Sequence, residues 1–324
     1  MLRLPRLQYR RPLTARDAAG MLADFGPRAM LVAGGTDLFP NLKRRQFEPE
    51  VLVQVPALAG IEARGDAIRV GATTTLAAAA SHASLQADLR GFADAAGLVS
   101  SPPLRNAGTV GGNLCVDTRC NYYNQSYEWR KAIGFCMKKD GDICLVAPSS
   151  PRCWAVSSSD TAPMALVLGA RVGLTGPDGE REIPVAALYR DDGIEYLGKA
   201  PEEVLTWLDL PVAAGLRTAY VKLRRRGSID FPIAGAAVAL RLDGDVVVEC
   251  RIALSAVASH PLEVPEAGAF LAGKRLDEES IEAASELAAK PARPLDNTDL
   301  THFWRKRMVR VVVADAIRRA AGRV

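Results

Sequence analysis

Histidine and aromatic residues are both scarce in this chain. His82, His260 and His302 are the only histidines and form no local motif, and aromatics make up 6% of the 324 residues. The sequence therefore offers no histidine constellation for catalysis or metal binding. No apolar run reaches the length that spans a bilayer, so no membrane partner is expected. No apolar stretch of the kind an export signal carries follows Met1-Leu2-Arg3-Leu4-Pro5-Arg6, and the expected location is cytoplasmic. A strong charge of either sign is also missing. Net charge is +4, and the basic spots Lys43-Arg44-Arg45, Arg224-Arg225-Arg226 and Arg305-Lys306-Arg307 are short and separated. They read as solvated faces, and nucleic acid is not an expected partner. Neither G-x-G-x-x-G nor G-x-x-x-x-G-K-[ST] occurs, so the two best-known phosphate-binding fingerprints are absent.

What the chain does have is ordinary bulk and an unusual cysteine distribution. Hydrophobic residues at 48% and charged residues at 24% suit sizeable cores, and the length suggests two domains. Five of six cysteines fall between Cys115 and Cys153. In a reducing compartment such a cluster points to metal ligands or free thiols rather than disulfides. Cys250 sits in the alternating run Val246 to Leu254 and reads as a buried strand residue.

The pattern along the chain predicts an α+β protein. Thr14 caps a helix over 15–25 that Gly26 ends. Strands at 30–33 and 51–55 complete a small unit over 1–55. A strand at 68–70, an alanine-rich helix to Ser81 and a helix over 91–99, broken by Pro102-Pro103, open a second unit over 56–215. Periodicity vanishes from 116 to 158, a segment with no core-facing helix or strand in prospect; it needs something to hold it, and a metal centre on its own cysteines would do so. Regularity resumes at Asp160, with a helix over 162–168 and strands at 171–175 and 204–210. From 216 to 324 the texture changes to antiparallel strands, turned at Asp243-Gly244, followed by helices over 277–290 and 300–319.

Two glycine pairs stand out: Ala33-Gly34-Gly35-Thr36-Asp37 after a strand, and Thr109-Val110-Gly111-Gly112-Asn113. Adjacent glycines let several N–H groups converge on one anion, and two such loops suit a diphosphate better than one. Each is equally readable as a tight turn. Asp37 and Asp160 read as ligand contacts or as helix caps.

Taken in order, these pieces resemble the FAD-binding (medium) subunits of the molybdenum hydroxylase or xanthine oxidase family. The resemblance rests on Leu31-Val32-Ala33-Gly34-Gly35-Thr36-Asp37-Leu38, on Arg105 to Leu114, on Ser159-Asp160, and on Tyr220 to Arg226 with Asp230-Phe231, and it covers nearly the whole chain. It implies a two-part FAD-binding domain of the vanillyl-alcohol oxidase type and a C-terminal strand-plus-helix domain. It also implies that Leu31 to Leu38 and Thr109, Gly111, Gly112 and Asn113 hold FAD, with Val99, Asp160 and Lys222 as further flavin contacts. The catalytic molybdenum site would lie on another subunit.

The segment 116–158 departs from the general family pattern. With Cys120, Cys136, Cys144 and Cys153 it is similar to the beta subunits of 4-hydroxybenzoyl-CoA reductases, which implies a 4Fe-4S cluster on those four thiolates. Cys115 is the rival ligand. The gaps of 15, 7 and 8 residues between the four match neither ferredoxin nor zinc-finger spacing, so spacing alone leaves iron and zinc both open. The same resemblance implies a relay from a ferredoxin-like donor through the cluster and FAD to a small two-cluster 2Fe-2S subunit and a large molybdopterin-binding subunit, in a dimer of heterotrimers. The flavin subunit of an oxidising aromatic or heterocyclic hydroxylase, and a zinc-binding structural module, are the alternatives.

Overall fold

The computed structural model describes residues 2–323, organised by three sheets. In the first, Val51–Gln54 runs parallel between Gln8–Arg10 and Ala29–Val32. Helix Ala15–Phe25 carries the chain from one outer strand to the other. Its start is fixed by a reciprocal cap: Thr14 Oγ1 accepts from the Asp17 N–H, and the Asp17 carboxylate accepts from the Thr14 N–H. Gly26, at φ 54°, ends it as expected. Ala18, Ala19 and Leu22 pack on Val51 and Val53. Strand Ala29–Val32 then delivers the first glycine pair, and helix Leu38–Lys43 follows.

The second sheet is antiparallel throughout, in the order Ile61–Arg64, Ala67–Gly71, Val204–Pro211, Arg171–Thr175, Glu180–Pro184. Helices Leu76–Ser81, Arg90–Leu98 and Thr161–Val167 bury Ala79, Phe92, Ala96 and Met164 in a core with Val70, Val172 and Leu208. The third sheet runs Leu262–Glu263, Val246–Ser255, Ala234–Asp243, Leu216–Leu223. Its strand Ala234–Asp243 is buried on both faces. Ala237 and Ala239 point into the core of the second sheet's helices, while Ala236, Val238 and Leu240 point into a core with helices Glu278–Ala289 and His302–Ala321. The period-two alternation of a strand thus divides one element between two cores. Small alanines on the first face let the helices of the preceding domain approach closely.

The chain forms a mixed helix-and-sheet fold, and one local expectation needs correction. Pro102-Pro103 do more than stop a helix: Pro102 opens a new one, Pro102–Ala107, because a first-turn residue needs no N–H acceptor. Segment 116–158 contains one short helix, Tyr127–Ala132, capped by Ser126 and carrying the buried Arg130, but none of its apolar side chains joins a hydrophobic core. At six residues, with an arginine as its buried member, it leaves no hydrophobic periodicity to detect. Strand Ile61–Arg64 and helix Pro265–Leu271 were likewise not anticipated. Among the described residues, no helix is long and apolar enough to cross a membrane.

Candidate functional site

Leu31 and Val32 end their strand, and Val32 is anchored on Leu42 and Leu52. The chain then turns through Ala33 to Asp37. Gly35 adopts φ 68°, the left-handed region that favours glycine. A Cβ on Gly34 would fall 1.9 Å from the Ala107 carbonyl oxygen, so its missing side chain lets the two glycine segments abut. Among the described residues, no oxygen of the chain accepts from the N–H groups of Gly34, Gly35, Thr36, Asp37 or Leu38. Five successive amides are left for a ligand or solvent. Asp37 stands at the head of helix Leu38–Lys43 without capping it. Its carboxylate instead accepts from Arg119 Nη2 at 2.7 Å and Asn41 Nδ2 at 3.1 Å. Burial raises the Asp37 pKa, and Arg119 opposes that shift.

The second segment behaves differently. It is a helical turn, Val110–Leu114, capped by Thr109. The Val110 N–H donates to the Thr74 carbonyl at 2.9 Å, and Gly111 donates to Ala72 at 2.9 Å. Gly112 donates to Thr109 Oγ1 at 3.1 Å, and Asn113 to the Thr109 carbonyl at 2.9 Å. The expected open loop of anion-seeking amides is not there, because neighbouring carbonyls already take those N–H groups. Asn113 Oδ1 accepts from Ser159 Oγ at 2.9 Å, Thr161 Oγ1 at 2.7 Å and the Thr161 N–H at 3.1 Å. Among the described residues its Nδ2 donates to nothing, and Gly112 beside it is exposed.

Asp160 and Lys222 come together, but on each other. Lys222 Nζ donates to Asp160 Oδ2 at 2.8 Å and to the Leu98 carbonyl at 3.0 Å, and Tyr220 OH donates to Asp160 Oδ1 at 2.8 Å. Both side chains are buried, at 0% and 3% exposure for Lys222 and Asp160. Burial raises the Asp160 pKa against the pull of Lys222. The pair braces the end of helix Arg90–Leu98, where Val99 follows. The Val99 carbonyl accepts from Arg105 Nη1 at 2.8 Å, and Ser100 turns at φ 46°.

All six cysteines are free thiols. Cys120, Cys136 and Cys153 pack into one small core with Tyr123 and Ala155. Cys144 lies within electrostatic reach of Cys120 and Cys153. Burial pushes the Cys120 pKa up to about 12 and the Cys153 pKa up to about 11. The Ala155 N–H points at Cys153 Sγ at 3.4 Å, and a Tyr122 N–H serves Cys120. Cys115 stands apart, with Lys199, Tyr189 and Tyr196 as its charged or polar surroundings. Cys250 is buried in the C-terminal core, as expected.

The spacing of these thiols bears on what they could hold. Zinc, with Zn–S near 2.3 Å, draws tetrahedral sulfurs to roughly 3.8 Å of one another. Among the described residues, no three His, Cys, Asp or Glu side chains come close enough to hold a single ion. The four buried, unbridged thiols therefore do not form a ready single-ion site in this conformation.

Several residues that matter here carried no signal in the sequence. Arg119 and Arg130 counted only as positive charge, yet they hydrogen-bond the residues flanking helix Leu38–Lys43, Asp37 on one side and Arg44 and Arg45 on the other. Gly193 presses on the cysteine core, where a Cβ would meet Cys153 Sγ at 2.6 Å. A cavity of about 450 Å³ lies beside the cysteine segment, lined by Gln46, Phe47, Asp117, Tyr123, Lys138 and Tyr196. Another of about 620 Å³ lies near Arg11 and Asp17. Neither is lined by a glycine-segment residue or a cysteine.

Two sequence-family models match. One, described as the FAD binding domain in molybdopterin dehydrogenase, matches residues 5–213, and the other, the CO dehydrogenase flavoprotein C-terminal domain, matches residues 218–320. The chain is 31% identical to the carbon monoxide dehydrogenase medium chain of Afipia carboxidovorans over 97% of its own length and 96% of that protein's. It is 29% identical to the aldehyde oxidoreductase FAD-binding subunit PaoB of Escherichia coli, covering 95% and 97%. Among solved structures it superposes on carbon monoxide dehydrogenase from Hydrogenophaga pseudoflava with a TM-score of 0.82 at 28% identity, covering 99% of each chain.

Proposed function

The chain belongs to the FAD-binding family of the molybdopterin dehydrogenases, and on that premise we propose that it is the flavin subunit of a molybdenum enzyme of the 4-hydroxybenzoyl-CoA reductase type. The observation that carries the finer reading is the convergence of Cys120, Cys136, Cys144 and Cys153 in a segment joined directly to the first glycine segment. These four would be the ligands of a 4Fe-4S cluster. The free amides from Gly34 to Leu38 would bind the FAD diphosphate, with Leu31, Val32 and Ala33 as their footing. Gly112 and Asn113, set by Thr109 and Gly111, would form the facing wall, and Val99 an apolar contact. Asp160 and Lys222 would act beneath the site, holding Val99 and the Asn113 partners in place. When bound, FAD exchanges electrons in pairs or singly and a four-iron cluster exchanges them one at a time.

The relatives carry names such as medium chain and FAD-binding subunit, which supports assembly with other chains. We take these to be a large molybdopterin-binding subunit and a small 2Fe-2S subunit, in a cytoplasmic dimer of heterotrimers served by a ferredoxin-like donor. Iron, sulfide and flavin analysis of the purified protein comes first. In the assembled complex, Cys136→Ser should remove one low-temperature spin-resonance signal and spare FAD. Unchanged iron content in that variant would rule Cys136 out as a ligand.

The names of the relatives also favour a second reading, an oxidising hydroxylase that passes electrons outward. Flavin reduction by an aromatic or heterocyclic substrate, with no reduction of 4-hydroxybenzoyl-CoA by the same complex, would select it. A flavin-free, zinc-bearing protein would instead point to a structural module.

A further inference from the structure

Helix Leu38–Lys43 directly follows the first glycine segment and is only six residues long. A helix that short has no stability of its own. The cysteine-rich segment holds it at both ends. At its head, Arg119 Nη2 donates to Asp37 Oδ1 at 2.7 Å. At its tail, Arg130 Nη2 donates to the carbonyls of Arg44 at 3.2 Å and Arg45 at 2.8 Å. Those carbonyls have no helical partner, and a guanidinium there also matches the negative end of the helix. Arg45 itself stands at φ 59°, a conformation a side-chain-bearing residue keeps only when held. Just beyond, Gln46 Nε2 donates to the Tyr123 carbonyl at 2.6 Å.

The other ends of these contacts lie in the cysteine core. Arg119 immediately precedes Cys120, and its backbone closes the base of the segment by exchanging hydrogen bonds with Val156 at 2.8 and 2.7 Å. Its guanidinium also lies 3.7 Å over the Phe231 ring. Arg130 is 1% exposed and sits on the helix between Cys120 and Cys136.

We propose that Arg119 and Arg130 form a clamp that makes the conformation of the first glycine segment depend on the folded cysteine segment, so that flavin binding and cluster binding are coupled. The inference rests on the proposed reading of both sites. The arginines are positioning residues and serve as ligands of neither group. A short helix gripped at head and tail by one segment is ordered with that segment, and the dependence runs in both directions. Coupling between binding sites is reciprocal, and such couplings typically amount to about five- to 150-fold in affinity.

The test is FAD titration of deflavinated protein by fluorescence, with the cluster in place and after iron removal by a chelator. In the wild type, removal of iron should weaken FAD binding about tenfold. In Arg119→Gln the two affinities should converge on the weaker value while iron content stays normal, and Arg130→Lys, with one ammonium in place of the guanidinium fork, should show a smaller ratio than the wild type. Arg119 is partly accessible, at 14% side-chain exposure, so that variant carries the test even where an Arg130 change fails to fold. A merely structural arginine would lower the melting temperature and leave the ratio alone. A ratio of one in the wild type, or an unchanged ratio in Arg119→Gln, overturns the clamp. Wild-type protein that takes up no flavin or no iron overturns the functional reading itself, and the clamp with it.

Discussion

The two glycine pairs look interchangeable on paper, and the folded chain uses them in opposite ways. Gly34-Gly35 leaves five consecutive amides unspent, while around Gly111-Gly112 each amide already serves an oxygen of Ala72, Thr74 or Thr109. The first segment is open and held from outside, by Arg119 on Asp37. The second is closed and bolted down, through Asn113 to Ser159 and Thr161, and onward through Asp160 to Lys222 in the C-terminal sheet. A glycine pair therefore says that backbones approach closely. Whether the approaching partner is a ligand or the protein's own carbonyl is decided elsewhere in the chain.

The contrast can be broken or sharpened in four steps. The largest effect should come from Lys222→Met, which strands a buried carboxylate on the bolted side and should cost about 3–5 kcal/mol of stability. Its pH dependence has a definite sign. Burial already raises the Asp160 pKa, and a raised folded value gives stability that is complete below the unfolded pKa of about 3.9 and is lost as pH rises through the folded one. Thermal melts should thus show the variant closer to wild type at pH 5 than at pH 8, and a gap that widens on acidification would contradict the assignment.

Next, Gly34→Val drives a side chain into the Ala107 carbonyl. Displacement of the segment should weaken FAD binding roughly a hundredfold, about 2.7 kcal/mol of binding free energy. Flavin affinity unchanged in fluorescence titration would remove the first segment from the site. Gly111→Ala, whose Cβ would lie 2.8 Å from the Ala72 Cβ, should act on the other quantity: about 1–2 kcal/mol off stability by denaturant melt, with FAD affinity within about threefold of wild type. Equal losses of affinity in both glycine variants would erase the distinction. The smallest effect is expected from Thr109→Ala, about 1 kcal/mol for the lost cap, with faster hydrogen exchange at the Gly112 amide.

Local rules served well wherever the local chain decided the outcome. Thr14 and Gly26 bracket helix Ala15–Phe25, and the alternation from Val246 onward is a strand whose Cys250 is buried. The family resemblance reached the overall architecture, because ordered motifs spread over most of a chain carry more information than any single one. The closure of the second glycine turn was not legible, since two of its acceptors, Ala72 and Thr74, lie nearly forty residues upstream. The Asp160–Lys222 pair spans 62 positions, and each residue alone reads as a ligand contact. Arg130 was hidden for another reason: a buried arginine that donates to backbone carbonyls leaves no trace in hydrophobic periodicity. For the cysteines, closeness in sequence anticipated closeness in space, whereas the cover supplied by Gly193 had no signature.

Asn297 stitches the cysteine segment from the far end of the chain. Its carbonyl accepts from the Asn121 N–H at 2.7 Å, its Nδ2 donates to the Trp154 carbonyl at 2.6 Å, and Arg305 Nη1 holds its Oδ1 at 3.2 Å. Roughly 140 residues separate Cys153 from that stitch, and at a synthesis pace of ~5–20 residues per second the ribosome needs on the order of ten seconds to supply it. Throughout that interval the emerging polypeptide lacks both hydrogen bonds that tie Asn121 and Trp154 to Asn297. The cysteine segment thus takes its final pinned form only after nearly the whole chain has been made, and a product truncated before residue 297 would lack that tie.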